Sequence, residues 1–591
     1  MSGGFTGTGN LTFLGNATAS AISLTTAAVA INGTITNSGS NTSTNLITGG
    51  VGSGVTAITQ NGLGPLTIGT NALNVNSAGT TLTLTSVGTR QLLLSGGSDG
   101  TGDLILKNDN STITSVTAPN GGVFVSTLGL NHAGAIINSG TGSTSSGSGV
   151  AIAAPIGSGI TEIRQASATS SLTVSGAITV DSTPLTLRNT LGGAFTITNS
   201  AATTGTGNLI LKNDSSLAGG ITISGAGGIN HTGSLTNSGT GAGNVLISSI
   251  IGSNVTGVVQ DSSTSTLRLT SSNTYSGDTT VQAGTLAIEN INALQNSTLD
   301  TGSSGSQTVT FHSTNVIYNL GGLKGSDELN TGPGVNNTMR VGSNNQDTLF
   351  SGVLSGSGGR LNKVGNGSLR LTGANTYNGS TTISAGTLLL NNPKVPGESG
   401  TGTGNVTVSG GTLGGNGLVR PGTSGTIGVS AGAFIAPGDS AVAGGIGDLT
   451  LDGGGTTSPL LTMDSSAEFN FQLGAGLSSD HISLWNFGTS TDFVRNSNVI
   501  NISASIDATI GTYNLFSFYS DNGASLKAYG FSSGLTLNFL NPAISGVLSY
   551  DFGEINLTLN AIPEPSTLTL VAAWSLGLLA LRRRTKARSV K

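Results

Sequence analysis

The chain repeats itself, and this self-similarity restricts the folds open to it more than any other feature. The string Gly-Thr-Gly-Asn-Leu at residues 7–11 returns at 100–104, with Asp for Asn, and again at 205–209. Similar segments follow each string at matching distances, so that three copies of about 100 residues fill residues 1–263. Repetition of this kind is typical of solenoids, in which each unit buries its apolar face against its neighbours.

Within each copy, apolar and polar residues alternate over short runs, as in Leu82, Thr83 and Leu84. Such alternation, bounded by Gly and Asn, predicts short β-strands joined by turns. No long stretch before residue 561 has the 3.6-residue period of a helix. The charged fraction is only 8%, which argues against a soluble cytosolic enzyme, where about a quarter of residues are charged. The absence of Cys excludes disulfides and thiolate metal sites.

Two later segments, 267–286 and 369–388, match each other closely. Both contain Leu-Arg-Leu-Thr, Asn-Thr-Tyr and Ala-Gly-Thr-Leu in the same order. They resemble the autotransporter-associated β-strand repeat, also called the passenger-associated repeat, with copies near 264–290 and 351–392 of a region spanning 264–440. The resemblance implies an all-β, right-handed parallel β-helix, in which these repeats form rungs.

In such a rung, alternate side chains point inward and bends need special backbone conformations. The predicted inward residues are Leu267, Leu269, Val281, Leu286 and Ile288. Gly277 and Gly284 suit bends with a positive φ angle, and Asn273 and Asn375 suit side-chain ladders at turns. An array of β-sandwiches is the alternative, because strands at 8–12-residue spacing look similar in sequence.

Residues 441–560 are rich in aromatic side chains, among them Phe469, Phe471 and Trp485. A solenoid needs to cover its open end. We therefore expect this region to form the last coils and a C-terminal β-cap.

Residues 561–591 differ from everything before them. Pro563, Glu564 and Pro565 precede an uncharged segment, 567–581, which is followed by a basic cluster. The apolar segment contains Leu568, Leu570, Val571, Trp574, Leu576, Leu578, Leu579 and Leu581, and the basic cluster contains Arg582, Arg583, Arg584, Lys586, Arg588 and Lys591. This order resembles the PEP-CTERM sorting signal of Gram-negative bacteria, which implies processing by an exosortase-type membrane enzyme and delivery to the cell surface.

The apolar segment predicts a short hydrophobic helix that enters the membrane. Its length as a helix would be about 22 Å at about 1.5 Å per residue, whereas a bilayer core is about 30 Å thick. It is therefore marginal as a permanent anchor, which favours transient insertion, with an ordinary single-pass anchor as the alternative. The basic cluster would stay cytoplasmic. The first ten residues lack the pattern of a signal peptide, and since they already lie inside a repeat we expect the natural N-terminus to lie upstream.

Few residues suit acid–base or metal chemistry. The four histidines are His132, His231, His312 and His481. His132 and His231 occupy equivalent repeat positions, which favours a structural role. His481 follows Asp480 with no third partner evident, and His312 is isolated. No metal-binding spacing is present, and Gly444–Asp448 is a lone near-match to a calcium-binding repeat.

β-Helix enzymes that cleave polysaccharides use Asp and Glu on one face, so carboxylates are the side chains to test for catalysis. The candidates are Asp103, Asp109, Asp214, Asp261 and Asp278. Asp109 and Asp214 are repeat-equivalent and predicted to cap turns, whereas Asp278 is replaced by Ser380 in the sister repeat. We predict no catalytic residue, no metal and no cofactor.

Removal of residues 561–591 leaves 25 acidic and 15 basic residues. A net charge near −10 does not favour nucleic acid or anionic lipid as a partner. We predict a secreted or cell-surface protein of structural or adhesive function that associates with extracellular polysaccharide through many weak contacts.

Two alternatives remain. One is a polysaccharide hydrolase or lyase, which would be favoured over a scaffold by three or more carboxylates, or by a cluster of Lys or Arg with Asp, converging in one groove. The other is an ice-binding protein, suggested by threonines at strand spacing such as Thr81, Thr83 and Thr85. Ice binding requires such threonines to continue rung after rung.

Overall fold

The computed structural model describes residues 4–561 with several gaps. The gaps are 17–20, 86–90, 112–121, 143–148, 217–219, 333–335, 440–444, 454–459, 488–492, 520–534 and positions 306, 424, 495, 497, 506, 543 and 552. The predicted sorting motif, hydrophobic helix and basic cluster in 562–591 therefore lie outside the described residues. Within the described ranges, no helix is long and apolar enough to cross a membrane.

The described residues form a parallel β-solenoid of about 17 turns with almost no helix. This confirms the all-β, parallel solenoid class. The sandwich alternative is wrong, because neighbouring strands come from successive turns and pair in parallel, whereas sandwiches are built from antiparallel sheets. The chain divides into two compact units, Met1–Leu361 and Asn362–Lys591.

In the first unit, one parallel ladder carries the longest strands. They are Leu11–Phe13, Val29–Asn37, Val55–Gln60, Thr80–Leu84, Leu104–Asn108, Gly134–Asn138, Ile160–Gln165, Leu185–Asn189, Leu209–Asn213, Gly233–Asn237, Val255–Asp261, Asp278–Ile288, Leu294–Asp300, Ile317–Lys324 and Thr338–Val341.

A second ladder of the first unit is also parallel. It contains Ser23–Leu24, Asn45–Ile47, Leu66–Ile68, Gln91–Leu94, Gly122–Val125, Val150–Ile152, Leu172–Val174, Phe195–Ile197, Ile221–Ile223, Val245–Ile247, Leu267–Leu269, the second half of Asp278–Ile288, and Gln307–Phe311. The remaining short strands are Phe5–Thr8, Leu73–Val75, Ser98–Gly100, Thr179–Val180, Thr204–Gly205, Leu329–Asn330, Thr348–Phe350, Leu354–Ser355 and Arg360–Lys363.

The second unit has three sets of strands and one 3₁₀ turn, Ala475–Leu477. Parallel strands form the first two sets: Ser368–Leu371, Thr387–Leu390, Thr412–Gly415, Phe434–Pro437, Glu468–Leu473, Asn498–Ala504 and Leu535–Phe539; then Thr381–Ile383, Val406–Val408, Ile427–Val429, Leu461–Met463 and Phe493–Val494. The third contains Leu418–Val419, Asp448–Asp452, His481–Trp485 and Thr512–Tyr519 in parallel. Glu554–Ala561 and Ser545–Asp551 then add to it antiparallel. The predicted β-cap stays a prediction.

The interior is built by strand alternation. Leu267, Leu269 and Val281, together with Leu286 and Ile288, are each at most 1% exposed, which confirms their inward placement. In the second unit the interior is aromatic: the Phe516 ring lies 5.2 Å from both Phe469 and Phe471.

The two predicted glycine bends have different outcomes. Gly284 has a φ of 68°, so its prediction is confirmed. Gly277 is not among the residues with positive φ, so that prediction is wrong. Gly277 instead allows a close approach, because a Cβ there would lie 1.8 Å from the Thr256 carbonyl oxygen.

Asn273 and Asn375, predicted to form side-chain ladders at turns, are both buried. Each donates its Nδ2 to a backbone carbonyl of the following turn, Asn273 to Ala293 at 3.0 Å and Asn375 to Gly400 at 2.5 Å. They therefore tie successive turns together at equivalent places in the two later repeats.

Candidate functional site

The repeat-equivalent aspartates make the same turn contacts. Oδ1 of Asp109 accepts hydrogen bonds from the backbone N (2.8 Å) and Oγ1 (3.0 Å) of Thr141. Oδ1 of Asp214 accepts the same pair from Thr240, both at 3.0 Å. Asp103 likewise accepts from the backbone N of Ala135 at 2.9 Å. These side chains fasten one rung to the next, which agrees with the turn-capping role.

The two equivalent histidines are also held by backbone contacts. Nε2 of His132 lies 3.3 Å from the Ala135 carbonyl oxygen, and Nε2 of His231 lies 3.2 Å from that of Ser234. Nδ1 of His132 also contacts the Ser98 hydroxyl at 2.7 Å. Burial lowers the pKa of both rings, so they are neutral at pH 7 and suited to a structural role. His312 and Asp261 are exposed.

A groove lies over the last described turns of the first unit. Its volume is about 780 Å³. It is lined by Asp278, Asp300, Lys324 and Asp347, with hydroxyl and amide side chains around them. Asp278 is replaced by Ser380 in the sister repeat, and no sequence motif marks the other three residues, so the sequence did not predict this groove.

Strand register explains how the charged groups meet. Thr280 pairs with Asp300 on the next strand, and Asp300 pairs with Lys324 on the strand after that. Asp278 lies two residues before Thr280 and therefore faces the same side. Nζ of Lys324 reaches back across two rungs to Oδ2 of Asp278 at 2.6 Å, passing Oδ2 of Asp300 at 3.5 Å. One lysine thus joins carboxylates from two other rungs.

The cluster of Asp278, Asp300 and Lys324 has two carboxylates and one ammonium, so its formal charge is negative. The hydrogen bond to the Asp278 carboxylate, aided by the charge of Asp300, raises the pKa of Lys324 despite partial desolvation. The lysine is therefore fully protonated at neutral pH. Its side chain is 37% exposed and that of Asp278 is 45% exposed, so both remain open to a ligand in solvent.

A loop at 342–347 forms one wall of the groove. Nδ2 of Asn344 donates to the Thr298 hydroxyl at 2.8 Å, and the backbone N of Gln346 donates to Oδ1 of Asn344 at 3.1 Å. The Ser343 hydroxyl also donates to the Leu320 carbonyl oxygen at 3.3 Å. On the opposite side, Nε2 of Gln307 donates to the Gln282 carbonyl oxygen at 2.9 Å. The walls are therefore fixed by hydrogen bonds.

The second unit holds another polar cluster, which corrects the expectation for His481. Nδ1 of His481 lies 2.8 Å from Oδ1 of Asp448, and Nε2 lies 2.9 Å from the Ser517 hydroxyl. Nζ of Lys394 donates to Oδ2 of Asp448 at 2.6 Å. His481 therefore contacts partners on the strands on either side of its own.

The hydrogen bonds of this cluster connect Ser, His and Asp as in a hydrolase triad, but here the serine is buried and the carboxylate is partly exposed. A nucleophilic serine must be open to substrate while the carboxylate is sheltered. Here Ser517 is 3% exposed, whereas the Asp448 side chain is 40% exposed. The arrangement is that of a hydrogen-bonded ladder across three strands.

Among the described residues, no cluster of His, Cys, Asp or Glu side chains could hold a metal ion.

The two later repeats share a buried tyrosine contact. The Tyr275 hydroxyl lies 2.5 Å from that of Thr279, and the Tyr377 hydroxyl lies 2.5 Å from that of Thr381.

Residues 262–288 and 361–390 match the family model of the passenger-associated-transport-repeat. No curated protein matches the chain. The passenger-associated repeats and the parallel solenoid fit a surface or secreted β-helix protein of the autotransporter-like kind.

Proposed function

We propose that this chain is a structural or adhesive component of the bacterial cell surface or extracellular matrix, associating with polysaccharide through the outer faces of its solenoid. It acts without a cofactor and without catalysis. The observation that carries this proposal is the parallel solenoid with two passenger-associated repeats. Such a fold offers a long row of outward side chains, and many weak contacts along one polymer add through avidity.

The side chains on the outer faces favour polysaccharide over ice as the ligand. Thr12, Thr36, Thr59 and Thr83 are in register on four successive rungs, but the next position in the column is Lys107. On the other ladder, a run of three threonines ends at Leu246. A flat threonine plane would need the column to continue, whereas a glycan accepts mixed hydroxyl, amide and charged partners.

We further propose that the C-terminal segment acts as a sorting signal. Its support is the order of Pro563, Glu564 and Pro565, the apolar segment 567–581 and the basic cluster that follows. An exosortase-type enzyme would use the segment during transient membrane insertion and release the body on the outer side.

Deletion of residues 561–591 tests this sorting role in the producing bacterium. We expect the truncated chain to be missing from the cell surface, with a triple substitution of Pro563, Glu564 and Pro565 by Ala giving the same defect at full length. Normal surface delivery of both variants would contradict the proposal.

Co-sedimentation of the purified body with the producer's own exopolysaccharide tests the proposed association with polysaccharide. Absence of co-sedimentation would leave only a scaffold function.

A polysaccharide-cleaving enzyme is the second candidate, because Lys324 converges with Asp278 and Asp300 in one groove. Against it, both carboxylates face the same lysine. A general acid must be free to give a proton to the leaving group, whereas these two carboxylates are already engaged with the ammonium of Lys324. Incubation of the exopolysaccharide with the protein, followed by assay for new reducing or unsaturated ends, would decide between them.

A further inference from the structure

The groove of the first unit has a composition that selects among glycans, and this inference rests on the proposed association with polysaccharide. We propose that the groove around Asp278, Asp300, Lys324 and Asp347 is a binding subsite for an uncharged segment of a polysaccharide chain. The remainder of the outer surface then adds weaker contacts along the polymer.

The charges exclude acidic sugars. Three carboxylates and one ammonium give the four charged side chains a formal net charge of −2 at neutral pH. The ammonium of Lys324 already lies 2.6 Å from Asp278 and 3.5 Å from Asp300, so it is compensated before any ligand arrives. A uronate would meet like charges and no free cation, which disfavours it.

The same groups suit neutral hydroxyls. A sugar hydroxyl both donates and accepts, so it can donate to a carboxylate and accept from the lysine ammonium at one point. Thr280, Thr298 and Ser326 add hydroxyl partners along the lining. The volume of about 780 Å³ lies within the range of about 300–1,000 Å³ typical of small-ligand sites.

The site is also organised in advance of binding. Lys324 is held by its two carboxylates, and the 342–347 wall is held by the Asn344–Thr298 hydrogen bond of 2.8 Å. Groups that are fixed before binding lose less conformational entropy when the ligand arrives. The passenger-associated repeat in the second unit has Ser380 where this one has Asp278, which supplies a natural substitution for the test.

The experiment uses the full chain and isothermal titration calorimetry. The probes are cellohexaose and mannohexaose as neutral oligosaccharides, hexaguluronate as the acidic one and chitosan hexamer as the cationic one. We expect at least one neutral probe to bind and hexaguluronate not to bind. Asp278→Ser and Lys324→Met should each weaken neutral binding about tenfold or more. Asp261→Ser, an equal change of charge at an exposed aspartate, should leave it unchanged.

The outcomes separate this subsite from the general function. If the exopolysaccharide co-sediments equally with the wild type and both groove variants, polysaccharide association stands and the subsite is wrong. If the variants lose oligosaccharide binding while no exopolysaccharide co-sediments, the subsite stands and the proposed association fails. Preferred binding of hexaguluronate would overturn the charge argument, and binding of chitosan hexamer alone would overturn the assignment to an uncharged segment. Circular dichroism melting checks that the variants fold.

Discussion

At the scale of single residues, buried amides link the rungs of each long repeat. Nδ2 of Asn138 donates to Oε1 of Gln165 at 2.8 Å, and Asn237 makes the same contact with Gln260 at 2.8 Å. Asn37 and Gln60 form the third pair, at 2.5 Å. Each asparagine Nδ2 also donates to a nearby backbone carbonyl oxygen, so these donors are satisfied between rungs, as in other stacked parallel sheets. The conserved spacing of these amides between copies therefore reflects turn geometry.

Replacing Asn138 by Leu should destabilise the first unit by about 2–3 kcal/mol, because it leaves Gln165 Oε1 and the Ser170 carbonyl oxygen without this donor. Denaturant unfolding followed by circular dichroism measures the loss. Asn131→Leu at an exposed position is the matched control and should stay within about 0.5 kcal/mol. Equal effects of the two changes would show that the buried amide pair contributes nothing specific.

Asp480 gives the second unit a dependence on pH. Its carboxylate accepts hydrogen bonds from the backbone N of Gly447 at 2.9 Å and of Gln472 at 2.7 Å. Burial nevertheless raises the pKa of Asp480 to about 7, and these two donors offset only part of it. A folded pKa above the unfolded value of 3.8 means that the stability contribution is complete below about pH 4 and is lost as the pH rises through about 7.

We therefore expect the stability of this unit to fall between about pH 4 and pH 7, and Asp480→Asn to flatten that fall. Urea unfolding at pH 5, 6, 7 and 8 measures the slope, which is informative even if the variant is less stable at every pH. Asp464→Asn, at an exposed site, should keep the wild-type slope. Parallel curves for wild type and Asp480→Asn would refute the assignment.

Asp448 has the opposite behaviour, in the acid range. Burial alone would raise its pKa, but hydrogen bonds from His481 and Lys394 outweigh it and lower the pKa to about 2. Its contribution to stability is present above the unfolded value of 3.8 and is lost as the pH falls through about 2. Asp448 pairs with His481, the residue after Asp480, yet Asp448 and Asp480 differ in pKa because of their partners, which the sequence does not reveal.

At the scale of elements, the strand Asp278–Ile288 shows how one segment serves two ladders. Its first half pairs with Val255–Asp261 and its second half with Leu267–Leu269. The bend between them is at Gly284, and the sister repeat bends at Gly386 with a φ of 64°. Repetition of Ala-Gly-Thr-Leu made this bend predictable, because both copies need the same left-handed residue.

Substitution of Gly386 by Ala should cost clearly more than the same change at Gly432. Both residues have positive φ, but a Cβ at Gly386 would lie 2.3 Å from the Gly365 carbonyl oxygen, whereas Gly432 has no atom within 4 Å. Backbone strain alone costs about 1–3 kcal/mol, so Gly432→Ala should stay in that range and Gly386→Ala should exceed it. Denaturant midpoints provide the comparison, and equal losses would contradict the role of close packing.

At the scale of the whole molecule, the charge of the chain depends on its C-terminal segment. The full chain has a formal net charge of −5, and removal of residues 561–591 leaves 25 acidic against 15 basic residues. If the segment is removed during sorting, the surface form should be more acidic than the precursor by about five charges. Isoelectric focusing of the surface and intracellular forms, with intact mass as the control, tests this. An identical isoelectric point for both forms would mean that the segment is retained.

The sequence by itself determined the strand class, the inward residues and the turns. Alternation of apolar and polar residues fixes which side chains face the core, and recurring Gly, Asn and Asp mark the bends. Those signals are local, so they were readable at Leu267, Leu286 and Gly284. The same signals wrongly predicted a positive φ at Gly277, where glycine is required by the close approach of a neighbouring rung.

Only the tertiary structure decided which outward side chains meet. Asp278, Asp300, Lys324 and Asp347 lie on different turns, and their convergence depends on turn lengths and on the register shift in Leu294–Asp300. Likewise, Asp448, His481 and Ser517 come together only because three strands align. Register between rungs is set by packing over the whole turn. Local periodicity therefore predicts the direction of a side chain but not its neighbours.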